Sequence, residues 1–302
     1  MSGTALLEEA TMDHRITVGL DGSPESAAAA RWAAREAELR HARLRIVHAG
    51  ERPVPVGVPE AASAVRGEWA EVLLRESAAA LRRVHPELDI TTGSVCGPPA
   101  AALATEAATS DLLVLGSRGL GTLTGFAVGS VAHDVLHATE RPVVLVRSGE
   151  DALPHPSGGH SGRDLVVGVD ISRPCDPVLA FAFEEASRRS CLLHVVHAWT
   201  PTPLFGSGAA YDPRIRAQLG ETMAGDLDDA LAPWRDRFPS VQVTARAPMG
   251  HAAQKLLAAG AEAGLIVVGR RIRRPSYGAR VGSTTHAVIH HSTSPVAVVA
   301  HD

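Results

Sequence analysis

The chain has 302 residues, of which 45% are hydrophobic and 21% are charged, as is usual for a globular protein. This length is more than one hydrophobic core usually organises, so it predicts two domains of about 150 residues. The formal net charge of −4 gives no overall attraction to nucleic acid or to an anionic membrane surface. No apolar run approaches the roughly 20 residues of a membrane helix, and we expect neither a nucleic-acid nor a membrane partner.

The first residues and the cysteines indicate the compartment. Residues 1–14 lack the basic and apolar regions of a secretion signal. Cys96, Cys175 and Cys191 are widely spaced and odd in number, which fits neither a disulfide framework nor a paired-cysteine metal site. We therefore predict a cytoplasmic protein whose cysteines are small core residues, and we name no metal ligand.

The first half alternates short apolar runs with helical patterns after a tail at 1–14. The predicted strands are 15–23, 44–49, 89–97, 112–115 and 142–146. The predicted helices are 25–40, 66–84, 100–108 and 130–138. Alternating strands and helices are typical of a parallel sheet with helices on both faces, so an α/β fold is expected.

The second half repeats the first after a linker rich in Pro, Gly, Ser and His at 151–163. LVVGVDIS at 165–172 matches ITVGLDGS at 16–23 with an offset of 149, and LIVVG at 265–269 matches LLVLG at 112–116 with an offset of 153. A duplication of this length indicates a repeated domain. We predict domain 1 at 15–150 and domain 2 at 164–302, each with a five-stranded parallel sheet.

The polar and glycine-rich positions lie where ligands of such sheets bind, beyond the carboxyl ends of the strands. Asp21, His48 and Gly116 each end or follow a predicted strand. A glycine-rich loop then runs from Gly116 to a helix start at Ser130, an arrangement that favours an anion through backbone N–H groups and the helix dipole. The loop has no P-loop lysine and follows the fourth strand, so neither a P-loop nor a dinucleotide fingerprint is present. His48 and His197 are expected to be packed and hydrogen-bonded.

Together, the G-x2-G-x9-G-S loop, the VGLDGS first strand and the VHA end of the second strand resemble the universal stress protein family. The resemblance covers nearly the whole chain as two tandem domains. It implies an adenine-nucleotide α-hydrolase-like, Rossmann-like fold that binds ATP, with Mg²⁺ or Mn²⁺ as a companion ion, and a stress-response role through an unidentified regulatory protein. It also implies pairing of domains, in a homo-oligomer (a dimer) or a pseudo-dimer within the chain, through strands 142–146 and 295–299.

The resemblance also assigns site residues in domain 1. Asp21 and the main chain at Val47 are expected against adenine or ribose, with Gly19 beneath the nucleotide. The ribose and phosphates are expected along Gly116, Ser117, Arg118, Gly119, Leu120, Gly121, Thr122, Gly129, Ser130 and Val131. Ser130 is further expected to be the helix N-cap. Taken singly, Asp21 would also serve as a turn residue, and Ser130 as a cap alone.

Domain 2 has matching positions but an altered loop. The matching residues are Gly168, Asp170, Val196, Gly269, Arg270, Arg271, Gly282, Ser283 and Thr284. Ile272 stands where Gly119 stood, and its Cβ would block a phosphate if the loop followed the same path. Arginines crowd this region and suit phosphate oxygens, namely Arg270, Arg271, Arg273, Arg274 and Arg280. We expect altered nucleotide binding, while a basic surface for another ligand and a solvated charge cluster stay open.

Three functions stay open at this point. The favoured one is an ATP-binding regulator; the others are a slow ATPase or nucleotidyl-transfer enzyme of the same superfamily, and a dimerising module without a ligand. The sequence has no HxGH motif, no KMSKS-like lysine loop and no paired carboxylates beside the glycine loop. We therefore name no catalytic residue.

Overall fold

The computed structural model describes residues 14–50, 60–117, 129–148, 164–201, 212–272 and 281–302, with the backbone alone for 60–66. The predicted linker at 151–163 and the predicted tail, apart from residue 14, lie outside this range.

The described elements of the first half follow the predicted alternation. Its strands are β1 Arg15–Gly19, β2 Arg43–Gly50, β3 Ile90–Cys96, β4 Leu112–Gly116 and β5 Val143–Val146. Its helices are α1 Pro24–Arg40, α2 Glu60–Val84, α3 Pro99–Ala108 and α4 Ser130–Ala138. Helix α2 begins six residues before the predicted start at residue 66. The alanine-rich helix α1 begins after Ser23, whose hydroxyl accepts a hydrogen bond from the Ser26 N–H, the usual N-cap arrangement.

The second half has the same order of elements. Its strands are β6 Leu165–Gly168, β7 Leu193–Val196, β8 Val243–Arg246, β9 Leu265–Arg271 and β10 Val296–His301. Its helices are α5 Asp176–Arg189, α6 Pro213–Arg237, α7 Ala252–Ala259 and α8 Ser283–His291.

The ten strands form one continuous sheet in the order β3-β2-β1-β4-β5-β10-β9-β6-β7-β8. Pairing is parallel within each half, and the two halves have equivalent strand orders. They meet where β5 pairs antiparallel with β10, with Val144 opposite Ala297. The predicted α/β class is therefore confirmed. The final strands of the two repeats pair within one chain, which is the pseudo-dimer arrangement, one of the two that we expected.

Helices cover both faces of the sheet. One hydrophobic cluster joins the sheet to α1, α2, α5 and α6, and a second joins the other face to α3, α4, α7 and α8. Central strand residues such as Ile16, Leu112 and Val267 are 0% exposed, as expected for strands that are buried on both faces. None of the described helices has the length and apolar character that crossing a bilayer requires.

Candidate nucleotide sites

A cavity of about 380 Å³ opens at the carboxyl ends of β1 and β4 in the first half. The chain leaves these two neighbouring strands toward opposite faces of the sheet, so the cavity lies at the switch point where α/β sheets bind ligands. Its lining comes from the ends of β1, β2 and β4 and from the starts of α1, α3 and α4. Six of the predicted site residues line it: Gly19, Asp21, Gly116, Gly129, Ser130 and Val131.

The first turn of α4, from Gly129 to Ala132, lies in the wall of this cavity. The structure corrects one expectation, because the N-cap residue is Gly129 and Ser130 is the first residue inside the helix. Gly129 has no side chain to satisfy the first N–H groups of the helix. N–H groups at a helix start, with the positive end of the helix dipole, are suited to an anionic ligand.

Asp21 is held in a defined position at the end of β1. Its Oδ1 accepts hydrogen bonds from the Ser23 N–H at 2.9 Å and from the Ser23 hydroxyl at 2.5 Å. The equivalent Asp170 accepts the same pair of bonds from Ser172, at 3.2 and 2.6 Å. Asp21 therefore serves as a turn residue, as expected from its local sequence. Asp21 also lines the first-half cavity, and Asp170 lines the equivalent cavity of the second half.

Two glycines allow the chain to pass close to its neighbours at the cavity. A Cβ on Gly116 would lie 2.6 Å from the Ser26 nitrogen and 2.7 Å from the Glu25 carbonyl carbon. A Cβ on Gly19 would lie 2.8 Å from Leu115 Cδ2 and 3.1 Å from Leu103 Cδ2. Gly116 is the more tightly constrained of the two because its neighbours are backbone atoms of α1.

Two other predicted residues serve the fold in this structure. Val47 is fully buried, and its carbonyl accepts a hydrogen bond from the Leu20 N–H at 2.8 Å. Ala49, two residues further on, lines the cavity instead. Ser117 is 2% exposed, and its N–H donates to the Val146 carbonyl at 2.7 Å. Sequence reasoning missed Ala49, although the alternation of side chains along a strand places residues 47 and 49 on one face.

The histidines that end the second strand of each repeat are packed and hydrogen-bonded, as expected. His48 Nδ1 lies 2.8 Å from the Leu20 carbonyl oxygen, and His197 Nδ1 lies 3.2 Å from that of Val169. The expectation for the cysteines is wrong at one position. Cys191 is buried and Cys175 half-buried, but Cys96 is exposed.

A second cavity, of about 710 Å³, occupies the equivalent place in the second half. Eight of the nine predicted residues line it: Gly168, Asp170, Val196, Gly269, Arg271, Gly282, Ser283 and Thr284. Helix α8 begins after Gly282, which like Gly129 provides no side-chain cap. Cys175 also lines this cavity. Burial raises the pKa of its thiol to about 11, and the nearby carboxylates of Asp176 and Asp170 contribute to the rise.

The ninth predicted residue, Arg270, has a different place. It is 5% exposed, and its guanidinium donates a hydrogen bond of 2.8 Å to the carbonyl oxygen of Thr139 in the first half. Burial lowers the pKa of Arg270, partly opposed by Glu140. The expectation that Arg270 belongs to the phosphate-facing arginines is thus corrected, since its side chain joins the two halves.

The strand before the second loop is longer than its counterpart in the first half. Strand β4 ends at Gly116, whereas β9 continues past the equivalent Gly269 to Arg271. The Ile272 N–H then donates to the His301 carbonyl at 2.7 Å, which extends the pairing with β10. Ile272 is not among the residues that line the cavity, and its counterpart Gly119 lies outside the described residues.

The remaining predicted loop residues lie outside the described part of the chain. They are Arg118, Gly119, Leu120, Gly121 and Thr122 in the first loop and Arg273, Arg274 and Arg280 in the second.

The fold and its two cavities define a class: a tandem pair of doubly wound α/β domains, each with a ligand-sized cavity at its switch point. The sequence model of the universal stress protein family matches residues 12–147 and 162–300. The chain belongs to the universal stress protein family.

Relatives of known sequence and structure span nearly the whole chain. The universal stress proteins Rv2005c and Rv2623 of Mycobacterium tuberculosis are 30% and 32% identical to it. Each alignment covers 94% of this chain, with 96% of Rv2005c and 95% of Rv2623. The crystal structure of a universal stress protein from Archaeoglobus fulgidus superposes with a TM-score of 0.69 at 19% identity, covering 96% of this chain and 100% of that chain. This last likeness extends the fold over both halves.

Proposed function

We propose that this protein binds ATP in the first-half cavity and acts as a nucleotide-dependent regulator of the stress response. The observation that carries the proposal is the position of the uncapped start of α4, at Gly129 to Val131, in the wall of a switch-point cavity. Phosphate groups are favoured ligands for such a helix start. Asp21, at the end of β1, provides a carboxylate suited to ribose hydroxyls at the other side of the cavity.

The second cavity is proposed to bind a nucleotide as well. It has an equivalent carboxylate, Asp170, and an equivalent uncapped helix start after Gly282. The regulatory role requires a protein partner that responds to occupancy, and binding without turnover suits such a role. The described residues contain no group of three or more His, Cys, Asp or Glu side chains placed to hold a metal ion.

Equilibrium dialysis of the full chain with ATP, followed by a hydrolysis time course, separates the three functions named above. A regulator binds ATP and leaves it intact, an enzyme consumes it, and a dimerising module without a ligand ignores it. Ser130→Glu places a carboxylate at the start of α4 and is expected to weaken binding at the first site by about tenfold, through repulsion of the phosphates.

Thr222→Glu is the matched control, since Thr222 is an exposed residue of α6 that lines neither cavity. Both variants add one negative charge to a helix, so a general charge effect would lower affinity equally. Equal affinity in Ser130→Glu and wild type, with the fold intact, would remove the assignment of the first site.

A further inference from the structure

The ten-stranded sheet ends in two edge strands, β3 in the first half and β8 in the second. In a parallel pair, the backbone groups of alternate residues face the neighbouring strand, and those of the residues between them face away. The Asp89 carbonyl accepts from the Leu44 N–H, and the Gly97 N–H donates to the Gly50 carbonyl, so the odd-numbered residues of β3 face β2. The backbone groups that face outward are those of Ile90, Thr92, Ser94 and Cys96.

The outward edge of β3 is open along most of its length. Among the described residues, only Arg82 donates to it, at the carbonyl of Ile90. Thr92, Ser94 and Cys96 are exposed, and their backbone groups make no hydrogen bond to another described residue. The strand has seven residues and contains neither a proline nor a charged side chain, which are common means of protecting an edge. It is therefore suited to pair with a further strand.

The equivalent edge of the second half is protected. At the offset of 153, Ala247 stands for Ser94 and Pro248 for Val95. The Trp199 indole N–H donates to the Ala247 carbonyl at 2.8 Å, so this outward acceptor is occupied. Pro248 lacks the N–H that would continue the ladder, and β8 has four residues where β3 has seven. One edge of the sheet is thus closed, and its counterpart is open.

The open edge is complementary to itself. A second copy of the chain, related by a two-fold axis at Ser94, would place its own β3 antiparallel to the first. Ser94 would then lie opposite Ser94 of the second copy, and Thr92 opposite Cys96. Each of these three hydrogen-bonded pairs exchanges two backbone bonds, about six in all, and no like charges lie opposite each other. The two halves of one chain already join by antiparallel edge pairing of this kind, between β5 and β10.

We propose that the protein forms a two-fold symmetric dimer in which the β3 strands of two chains pair antiparallel about Ser94. Pairing of β3 with β8 of another chain would add one chain after another without closing, and the protected β8 edge prevents it. Assembly therefore stops at two chains. Edge pairing provides a small interface, so we expect a reversible dimer with a Kd of about 1–100 µM. The proposal does not depend on nucleotide binding.

Sedimentation velocity of the full chain from about 1 to 200 µM, a range that spans this Kd, tests the dimer. Ser94→Lys and Ser94→Glu each place like charges opposite each other at the axis and are expected to weaken it by at least about tenfold. An equimolar mixture of the two variants is expected to restore it, because lysine then faces glutamate. Gln242→Lys and Gln242→Glu are the controls, since Gln242 is exposed beside β8 at the other edge, and both are expected to dimerise like wild type.

A monomer at every concentration would overturn the proposal, as would a dimer that persists in both Ser94 variants. Cross-linking tests the register. In the proposed pairing, Thr92 and Cys96 of the other chain have Cα atoms about 5.5 Å apart, within the range of a disulfide. Within one chain these positions are about 13 Å apart along the strand, so only a link between chains can form.

Thr92→Cys is therefore expected to give a disulfide-linked dimer under mild oxidation, whereas wild type, with Cys96 alone on this strand, is not. Thr91→Cys is the matched control, because Thr91 is also exposed but its side chain lies on the other face of the sheet. Denaturing electrophoresis without reductant measures the linked fraction. Equal cross-linking of Thr91→Cys and Thr92→Cys, or none in Thr92→Cys where wild type dimerises, would overturn the proposed pairing.

Discussion

Glu36 and Glu185 occupy equivalent positions in the two halves, 149 residues apart, and meet in one buried cluster of charges. They are 2% and 0% exposed. Arg40 donates to Glu36 Oε1 at 2.6 Å and to Glu185 Oε1 at 2.5 Å. Arg189, the equivalent of Arg40, contacts both carboxylates as well. The cluster thus repeats one pair on α1 and α5 and joins the halves about a pseudo-two-fold axis.

Removing one carboxylate from this cluster leaves buried arginines with too few partners. Glu185→Gln is expected to lower the free energy of unfolding by roughly 3 kcal/mol, because the charges that remain are not compensated. The neighbouring Glu184 pairs with Arg188 but is 42% exposed, so Glu184→Gln is expected to cost about 0–1 kcal/mol. Urea denaturation of both variants measures the difference. Equal losses would show that the cluster does not hold the halves together.

Helices α4 and α8 have equivalent pairs of histidines. His133 and His137 are equivalent to His286 and His290, and the rings touch within each pair, with centroids 4.6 and 4.1 Å apart. Burial lowers the pKa of His137 most, and the nearby His133 and Arg270 lower it further, while Asp134 partly opposes this shift. Burial likewise lowers the pKa of His290 most. Smaller contributions in the same direction come from His286, His291, Arg147 and His133.

These shifts predict a loss of stability in mild acid. A histidine whose native pKa lies below its unfolded value of about 6.5 binds protons more readily when unfolded, so stability falls as the pH drops through 6.5 toward the lowered native pKa. Above about pH 7 the two groups contribute no pH dependence. The double variant His137→Gln, His290→Gln is expected to lose less in melting temperature between about pH 7 and 5 than wild type. His14→Gln, which lies on neither α4 nor α8, serves as the control, and parallel curves for wild type and both variants would contradict the prediction.

Substitution of Arg270 tests whether its side chain joins the two halves, through Thr139, or binds phosphate. Arg270→Met removes the donor to the Thr139 carbonyl and is expected to lower the free energy of unfolding by about 1–3 kcal/mol, since a buried acceptor is left unpaired. Binding of ATP at the second site is expected to stay at the wild-type level, because the side chain does not line the cavity. Calorimetric titration beside denaturation separates the two effects. Lost binding with full stability would return Arg270 to the phosphate site.

The backbone contact at Gly116 predicts that even one methyl group is harmful there. Gly116→Ala is expected to displace the start of α1, lowering stability by about 1–3 kcal/mol and weakening ATP binding at the first site. Gly225, on the exposed side of α6, has no atom within 4 Å of a built Cβ, so Gly225→Ala is expected to stabilise the helix by up to about 1 kcal/mol. Thermal unfolding of both variants gives the two signs, and a stabilised Gly116→Ala would show that the approach is not tight.

Local patterns in the sequence were sufficient to predict the elements and their order. Buried strands such as β4 appear as short apolar runs, and the repeat at offsets 149 and 153 doubles the signal. The same patterns were insufficient for the cap of α4. Ser130 has a suitable side chain, but the extended backbone of Gly129, with ψ at 144°, makes Gly129 the N-cap and puts Ser130 inside the helix.

Contacts between the halves were the part that sequence reasoning could not supply. Arg270 stands in an arginine-rich run that resembles a phosphate loop, yet the continued strand β9 directs it toward Thr139. Glu36 and Glu185 are unremarkable acidic residues on alanine-rich helices until the antiparallel pairing of β5 with β10 brings α1 and α5 together. Such contacts depend on how the two domains pack against each other, and no local sequence pattern predicts that packing.

A crystal structure of the full chain grown with ATP and Mg²⁺ tests the central claim most directly. We expect the phosphates at the N–H groups of Gly129 to Ala132, and the ribose near Asp21. A first-half cavity closed by its own side chains at saturating ATP, or nucleotide bound elsewhere with this cavity empty, would contradict the account.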